Sequence, residues 1–492
     1  MSASKVITVK PWKIYTSVSL SGACVMIFEL AGARMIGPYF GTSIYVWTNV
    51  IGVILASLSL GYYIGGHKAD EQDAHRLLSS CLGATGLSVL LCLLIHDTVL
   101  RNLAHWVYDP RFGGLYSSLI LFALPSIFFG GISPIATRLT LKSLEETGKV
   151  TGKIGAISTI GSLIGTFVGG FILIPFWGVQ QVMLSVGVVM LLLSAIFSFH
   201  HFLKFAGLGV IIVALYFVFP QVVHGERFST LYNDVLIYET TDELGDSIRI
   251  MQVNNHIGSA QYLHSDDLVY PYLRQFRIDQ QLVPDFRNTL TIGGAACSYP
   301  RELLMQYDDV TVDVIEIDGK LTEIARKHFD LPSTSRLKTY SQDGRYYVQH
   351  TDKTYDVIYL DAFNDLRSIP FQLTTQEFFE EIESVLNPEG AVIINALSSL
   401  AQDKTDMIDA LVNTVKTAFP YVIVLRVEPD MPKDVLQSLC VVAMKKPIEL
   451  TSKQIEDQEI RLSGKSIVLK DDYAPVERLV QEGDHIQKAA NE

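Results

Sequence analysis

The sequence predicts an α-helical transmembrane bundle of about seven spans, followed by an open α/β nucleotide-binding domain that begins with a small β-segment. Three observations predict it. Apolar runs of about 20 residues fill the first 220 or so positions, the length a helix needs to cross a bilayer core. From about Glu226 the charge density rises to that of a soluble protein. Beyond residue 286, apolar strands ending in glycine or a carboxylate alternate with helix-length segments, the pattern of a parallel sheet.

A chain of 492 residues exceeds one ordinary domain. It divides into a helical part (1–225), a small β-rich segment (226–285) and a nucleoside-binding part (286–492). The net charge of −13 argues against a nucleic-acid partner, which calls for a basic face. Cys24, Cys81, Cys92, Cys297 and Cys440 are spaced for neither a zinc site nor a disulfide framework. They are expected to be small packing residues in a reducing compartment, and no metal is expected. The first apolar run is long enough to span and has no convincing cleavage site, so no signal peptide is expected.

The spans are expected near 14–37, 42–66, 78–99, 114–136, 154–176, 179–199 and 203–221. Gly161, Gly165, Gly169 and Gly170 form a small-residue stripe in the fifth, which lets two helix backbones approach. Pro125 and Pro134 fall in or at the edge of the fourth, where neighbouring groups satisfy the freed carbonyls. Orientation signals conflict. Lys5, Lys10 and Lys13, then Lys68 and Arg76, then Arg138, Lys142, Lys149 and Lys153 share one side, which the positive-inside rule makes cytoplasmic. Seven crossings then put the C-terminal part outside, away from nucleotide. Ligand supply is the harder constraint, so a cytoplasmic catalytic domain is expected. Glu29 and Arg34 lie within the first span, as a functional polar site or a structural pair.

Residues Leu290-Thr291-Ile292-Gly293-Gly294 read as a strand entering a glycine turn, with a helix pattern from about Tyr299 to Tyr307. The strand Val312-Asp313-Val314-Ile315-Glu316-Ile317-Asp318 follows, ending in acids. In such a β–turn–α–β unit the glycines admit a ligand to the backbone and the acid binds ribose hydroxyls. Ser341-Gln342-Asp343-Gly344 follows a third extended segment, and Tyr355 to Asp361 is a fourth strand ending in a carboxylate. Asn387-Pro388-Glu389-Gly390 is a turn into a fifth strand, Ala391 to Asn395. Ligands bind at the carboxyl ends of such strands, so Glu316, Asp343 and Asp361 are expected to converge on one crevice.

This layout resembles the Rossmann-like class I methyltransferases, and spermidine synthases in particular. The membrane motifs Phe28 to Arg34, Pro38-Tyr39-Phe40-Gly41 and Leu58 to Gly66 are similar to a bacterial branch. There, a partial transporter-like membrane domain is fused to a spermidine synthase-like domain. The resemblance implies a multi-pass protein of the bacterial inner membrane, in contact with the lipid bilayer. It implies that Gly293, Gly294, Ala295 and Ala296 lie along the nucleoside, with Glu316 and Ile317 at the ribose and Asp343 and Gly344 at the adenine. Asp361 aligns with the catalytic aspartate. Asn233, within Tyr232-Asn233-Asp234-Val235, belongs to the small β-segment, and Gly258 and Gln261 keep positions that line the site. Tyr232, Tyr270, Asp472 and Tyr473 are substrate or lid candidates, the last two from Asp471-Asp472-Tyr473-Ala474-Pro475-Val476-Glu477, similar to that branch's closing motif.

The reaction implied is attack of an amine on the carbon beside a sulfonium, which releases methylthioadenosine. A polyamine nitrogen is mostly protonated at neutral pH, so a carboxylate must accept its proton, and Asp361 is the candidate. Two departures stand out. Soluble spermidine synthases carry an aspartate in the glycine turn, where this chain has Ala296. That removes a partner for the aminopropyl ammonium of decarboxylated S-adenosylmethionine, and a repulsion against the carboxylate of S-adenosylmethionine itself. The family's Tyr-His-Glu triplet is here Tyr270-Pro271-Tyr272. Aminopropyl transfer to a polyamine therefore stands beside a lyase reading, in which S-adenosylmethionine gives methylthioadenosine and homoserine lactone. A methyltransferase and a transporter with a nucleoside-sensing domain are weaker alternatives. The oligomeric state is open, a homo-oligomer among the options.

Overall fold

The structure, a computed structural model, describes residues 10–41, 43–107, 109–218, 225–254, 256–363, 369–400, 406–448, 460, 462 and 466–484. Lys5 and the last expected span residues, 219–221, lie outside them. The chain forms two compact units, Met1–Val222 with Ser229–Leu231, and Val223–Phe228 with Tyr232–Glu492.

Seven helices of the first unit are long and apolar enough to cross a membrane. They are Pro11–Phe40, Ile44–Glu71, Ala74–Trp106, Pro110–Thr140, Leu144–Trp177, Val179–Phe197 and Phe199–Tyr216. Each of the first five outruns its apolar window, because polar residues continue the helix past the apolar stretch. Asp73, for instance, caps the third by accepting the His75 N–H at 3.0 Å. Pro125 and Pro134 lie inside the fourth helix without ending it. The glycine stripe is half realised. A Cβ on Gly161 would stand 2.0 Å from the Ser19 carbonyl oxygen and one on Gly165 2.4 Å from that of Ala23, so the first and fifth helices touch backbone to backbone. Gly169 opens a π-turn, Gly169–Leu173, and Gly170 makes only an ordinary contact with Leu30. Glu29 and Arg34 are not a pair along the helix: five residues turn through about 140° from one face to another. Arg34 donates instead to the carbonyl of Leu231, in the same unit. All five cysteines are reduced and buried.

The second unit opens with a four-stranded sheet in the order β1-β2-β3-β4, made of Glu226–Ser229, Asp234–Thr241, Ser247–Val253 and His256–Tyr262. A short helical run, Pro271–Leu282, leads into a seven-stranded sheet. Its strands are β5 (Asn288–Gly293), β6 (Thr311–Glu316), β7 (Leu337–Ser341), β8 (Tyr355–Asp361), β9 (Leu386–Ser398), β10 (Tyr421–Arg426) and β11 (Gln437–Met444). Their order is β10-β11-β9-β8-β5-β6-β7. The pairs among β5 to β9 are parallel, while β11 runs antiparallel to both β9 and β10. This antiparallel edge was not expected from the sequence. The Asn387–Gly390 turn is also altered: it lies inside β9 as an irregularity, since Tyr355 pairs with Leu386 but Val357 with Ala391.

The chain runs from β5 outward to β6 and β7, then returns to add β8 on the other side of β5. Strand order reverses there, so β5 and β8 flank the topological switch point. Alternation along the strands sends Thr291 and Gly293, Val314 and Glu316, and Tyr359 and Asp361 to one face. Their apolar neighbours Val312, Val314, Val357 and Tyr359 form one buried core with the helix Ser298–Gln306, while Leu290, Ile292, Ile358 and Leu360 join the core of the other face.

Candidate active site

The glycine turn after β5 is tight for reasons local to it. Gly293 has φ +83°, and a Cβ there would stand 2.7 Å from the Asp361 carbonyl oxygen, so β8 leaves no room for a side chain. Gly294 follows at φ +125°. Ala295 (φ 44°) and Cys297 (φ 57°) are held left-handed as well, strain that an L-residue tolerates only where surroundings impose it. The Ala296 methyl is 1% exposed and belongs to the apolar core, while its N–H donates to Ser259 Oγ at 3.1 Å.

One strand over, Glu316 ends β6 on the same face. Its carboxylate accepts the Asp318 N–H at 3.2 Å and backbone N–H groups of Ala295 and Ile317. Burial pushes its acid up to about 7, the Asp318 charge adding to the rise and the N–H donors opposing it. Ile317 is exposed beside it. Asp318 in turn accepts Asn233 Nδ2 at 2.8 Å, and Asn233 Oδ1 accepts Asn254 Nδ2 at 3.0 Å. The segment leading into the small sheet is thereby tied to the Glu316 side of the crevice. Asp343 caps the helix Gly344–His350, accepting the Tyr346 N–H at 2.9 Å. A Cβ on Gly344 would lie 2.5 Å from Ile292 Cγ2, which seats this helix against β5.

Asp361 ends β8 opposite Gly293 in the strand register. Its Oδ1 accepts Asn395 Nδ2 at 3.1 Å and its Oδ2 accepts the Tyr272 hydroxyl at 3.3 Å. Tyr270 stacks on Tyr272 with ring centroids 6.0 Å apart, and burial raises its hydroxyl above the ordinary range. Gly293, Glu316 and Asp361 are thus brought together at the switch point, with Asp343 at the next strand end. Other expected residues are placed elsewhere. Gln261 donates to Asp330 at 2.8 Å, and Tyr232 and Asp472 are exposed. Of the closing motif it is Asp471 that is engaged. It takes Arg345 Nη1 and Nη2 at 2.6 and 2.8 Å and the Thr375 hydroxyl at 2.8 Å, while Tyr473 is 54% exposed.

Three contributors escaped the sequence reading. Tyr272 was registered only as a lost acid. Asn395 was read only as the end of a strand. Asp279 carries no motif at all, yet its Oδ2 accepts the hydroxyls of Tyr299 and Tyr359 at 2.7 and 2.5 Å. No group of three or more His, Cys, Asp or Glu side chains set to hold a metal occurs among the described residues.

A glycine turn and strand-end acids at the switch point of an open, largely parallel α/β sheet define a Rossmann-like domain. Residues 279–445 match the family described as Spermine/spermidine synthase domain. It is 32% identical over 138 residues to a probable polyamine aminopropyl transferase of Bifidobacterium longum, covering 28% of this chain and 30% of that protein. It is 27% identical over 183 residues to a polyamine aminopropyltransferase of Vibrio vulnificus, covering 36% and 60%. These two matches span less than two thirds of either relative. Polyamine aminopropyltransferase 1 of Streptomyces coelicolor is matched more broadly, at 22% identity over 82% of this chain and 78% of that one. Among solved structures, a probable spermidine synthase from Corynebacterium glutamicum aligns with TM-score 0.40 and 20% identity, covering 47% of this chain and 84% of that one.

Proposed function

We propose that the C-terminal unit binds decarboxylated S-adenosylmethionine and transfers its aminopropyl group to an amine, releasing methylthioadenosine, and that the apolar helices hold this enzyme in a bilayer. The observation that carries the reading is Asp361 at the switch point, one strand from the glycine turn and two from Glu316. Glu316 accepts the ribose hydroxyls and Asp343 the adenine amino group. The acceptor nitrogen, stripped of a proton by Asp361, attacks the carbon beside the sulfonium. The carbon–sulfur bond breaks, its electron pair stays on sulfur, and a neutral thioether leaves. Asn395 and Tyr272 fix the plane of the Asp361 carboxylate, so the base is oriented before the amine arrives.

A second reading has S-adenosylmethionine's own carboxylate attack the same carbon to give homoserine lactone. The absence of an acid in the turn, at Ala296, favours it. One assay decides: the full chain in detergent with either sulfonium, with and without putrescine, products identified by mass. Aminopropylated amine is the expected product. Methylthioadenosine from intact S-adenosylmethionine without amine would establish the lyase, and S-adenosylhomocysteine a methyltransferase.

Membrane integration is supported by the seven apolar helices and by outward-facing Leu163, Ile164, Phe167 and Phe171. The location in this reading is the bacterial inner membrane with the catalytic unit on the cytoplasmic side, where the nucleoside is. Domain limits of 1–225, 226–285 and 286–492 belong to the same proposal.

A further inference from the structure

Two residues below Gly293 and Asp361 on the same sheet face, Thr291 and Tyr359 are again register partners. The step along the strands is about 7 Å. A small pocket here is lined by Tyr272, Phe276, Tyr299 and Tyr359 together with Thr291 and Asp361. The rings are locked to one another: Phe276 lies edge-on to Tyr299 and stacked on Tyr359, with centroids 5.3 and 5.5 Å apart. The buried Thr291 hydroxyl has no hydrogen-bond partner among the described residues. Behind the aromatic wall sits Asp279, 0% exposed. Both phenol hydroxyls point at it, and no arginine, lysine or histidine pairs with it among the described residues. A buried carboxylate ordinarily has a cation. This one has none among the described residues.

We propose that this pocket receives a primary alkylammonium, with Asp279 as its counter-charge acting through the Tyr299 and Tyr359 hydroxyls. The inference rests on the sulfonium reading above and deepens it. A phenol that donates to a carboxylate becomes a better acceptor on its remaining lone pair, so the two oxygens and Thr291 Oγ1 offer an ammonium its hydrogen bonds. The surrounding ring faces add cation–π attraction in a site shielded from water. Burial pushes the Asp279 acid up to about 6, which leaves it largely ionised at neutral pH. That ammonium ends either the sulfonium's own aminopropyl arm or the acceptor amine. A carboxylate in the same place meets an unfavourable charge, so Asp279 selects for an arm that ends in a cation alone. Asp279 is a specificity residue and touches no reacting atom.

The test uses the full chain in detergent, wild type, Asp279→Asn and Tyr359→Phe, the last keeping the ring and losing the hydroxyl. Calorimetry compares decarboxylated S-adenosylmethionine with methylthioadenosine, which has the nucleoside and no ammonium arm, and steady-state kinetics give KM and kcat for putrescine. If the pocket holds the donor's arm, Asp279→Asn weakens the decarboxylated sulfonium by about tenfold or more and leaves methylthioadenosine within about twofold. If it holds the acceptor, the putrescine KM rises by a similar factor with kcat little changed. Tyr359→Phe moves the same quantity by a smaller factor. Should methylthioadenosine bind normally to every form while neither the sulfonium affinity nor the amine KM moves, the ammonium pocket is wrong. A wild-type chain that binds neither adenosyl compound instead removes the sulfonium reading beneath it. Loss of methylthioadenosine binding in Asp279→Asn alone assigns Asp279 to structure and overturns the proposal.

Discussion

Asp361 accepts the Asn395 amide at 3.1 Å and the Tyr272 hydroxyl at 3.3 Å. Asp361→Asn preserves size and both neighbours while removing the acceptor charge. Turnover is expected to fall by at least about 100-fold, with methylthioadenosine affinity within about threefold. Single-turnover product formation beside calorimetry checks this, and full activity would take Asp361 out of the mechanism. Glu316 gives a pH signature. Its acid sits near about 7 because it is buried, so below that pH the ligand-free protein carries the protonated form. Ribose hydroxyls prefer the ionised carboxylate as acceptor, so binding must expel the proton. Affinity for methylthioadenosine is therefore expected to strengthen as pH rises toward 7, by up to about tenfold per unit, and to level off above it. A flat titration of Kd between pH 5.5 and about 8 would detach Glu316 from the ribose.

Among the elements, the parallel strands and their terminal acids were legible because a strand buried on both faces is a short continuous apolar run, and the acid ending it stands out. The antiparallel β10 and β11 were not, since the loop between them carries no glycine and its acids, Glu428, Asp430 and Asp434, do not end a strand. The left-handed Ala295 and Cys297 were equally hidden, being residues that do not advertise a positive φ. Tyr272, Asn395 and Asp279 were missed for a shared reason: each acts on a group distant in sequence, and only the folded sheet juxtaposes them. The closing motif was recognised, but its anchoring residue was not. Arg345, on the helix capped by Asp343, grips Asp471 and Glu381 together, with its side chain 13% exposed. Arg345→Ala leaves two acids facing one another and frees residues 466–484. The expected cost is about 1–3 kcal/mol, reduced from a fully buried pair because Asp471 is half open to water. Limited proteolysis should cut beyond Met444 before the sheet unfolds, and wild-type resistance would mean that the apolar contacts of Leu469, Val476 and Leu479 suffice to hold the segment.

For the molecule as a whole, the apolar helices and the α/β unit follow opposite solvent logic. The first unit turns large apolar side chains outward, and the second buries them in two cores on either face of a sheet. That contrast is visible in composition alone, which is why the bipartite architecture could be read directly. Sidedness could not, because the basic loops and the nucleotide supply point to opposite answers.

The five buried thiols supply a way to settle it. A folded chain whose native sulfurs are all hidden is chemically silent toward an impermeant maleimide, so no cysteine-free background is needed before probes are introduced. Lys149→Cys at the exposed, basic start of the fifth apolar helix and Lys320→Cys on an exposed helix face each add one reachable thiol. In sealed inverted vesicles, reagent in the bath is expected to tag both. If Lys149→Cys alone is tagged, the two positions lie across the bilayer from one another. If Lys320→Cys alone is tagged, the basic end of the fifth helix faces away from the cytoplasm and the charge rule gives way.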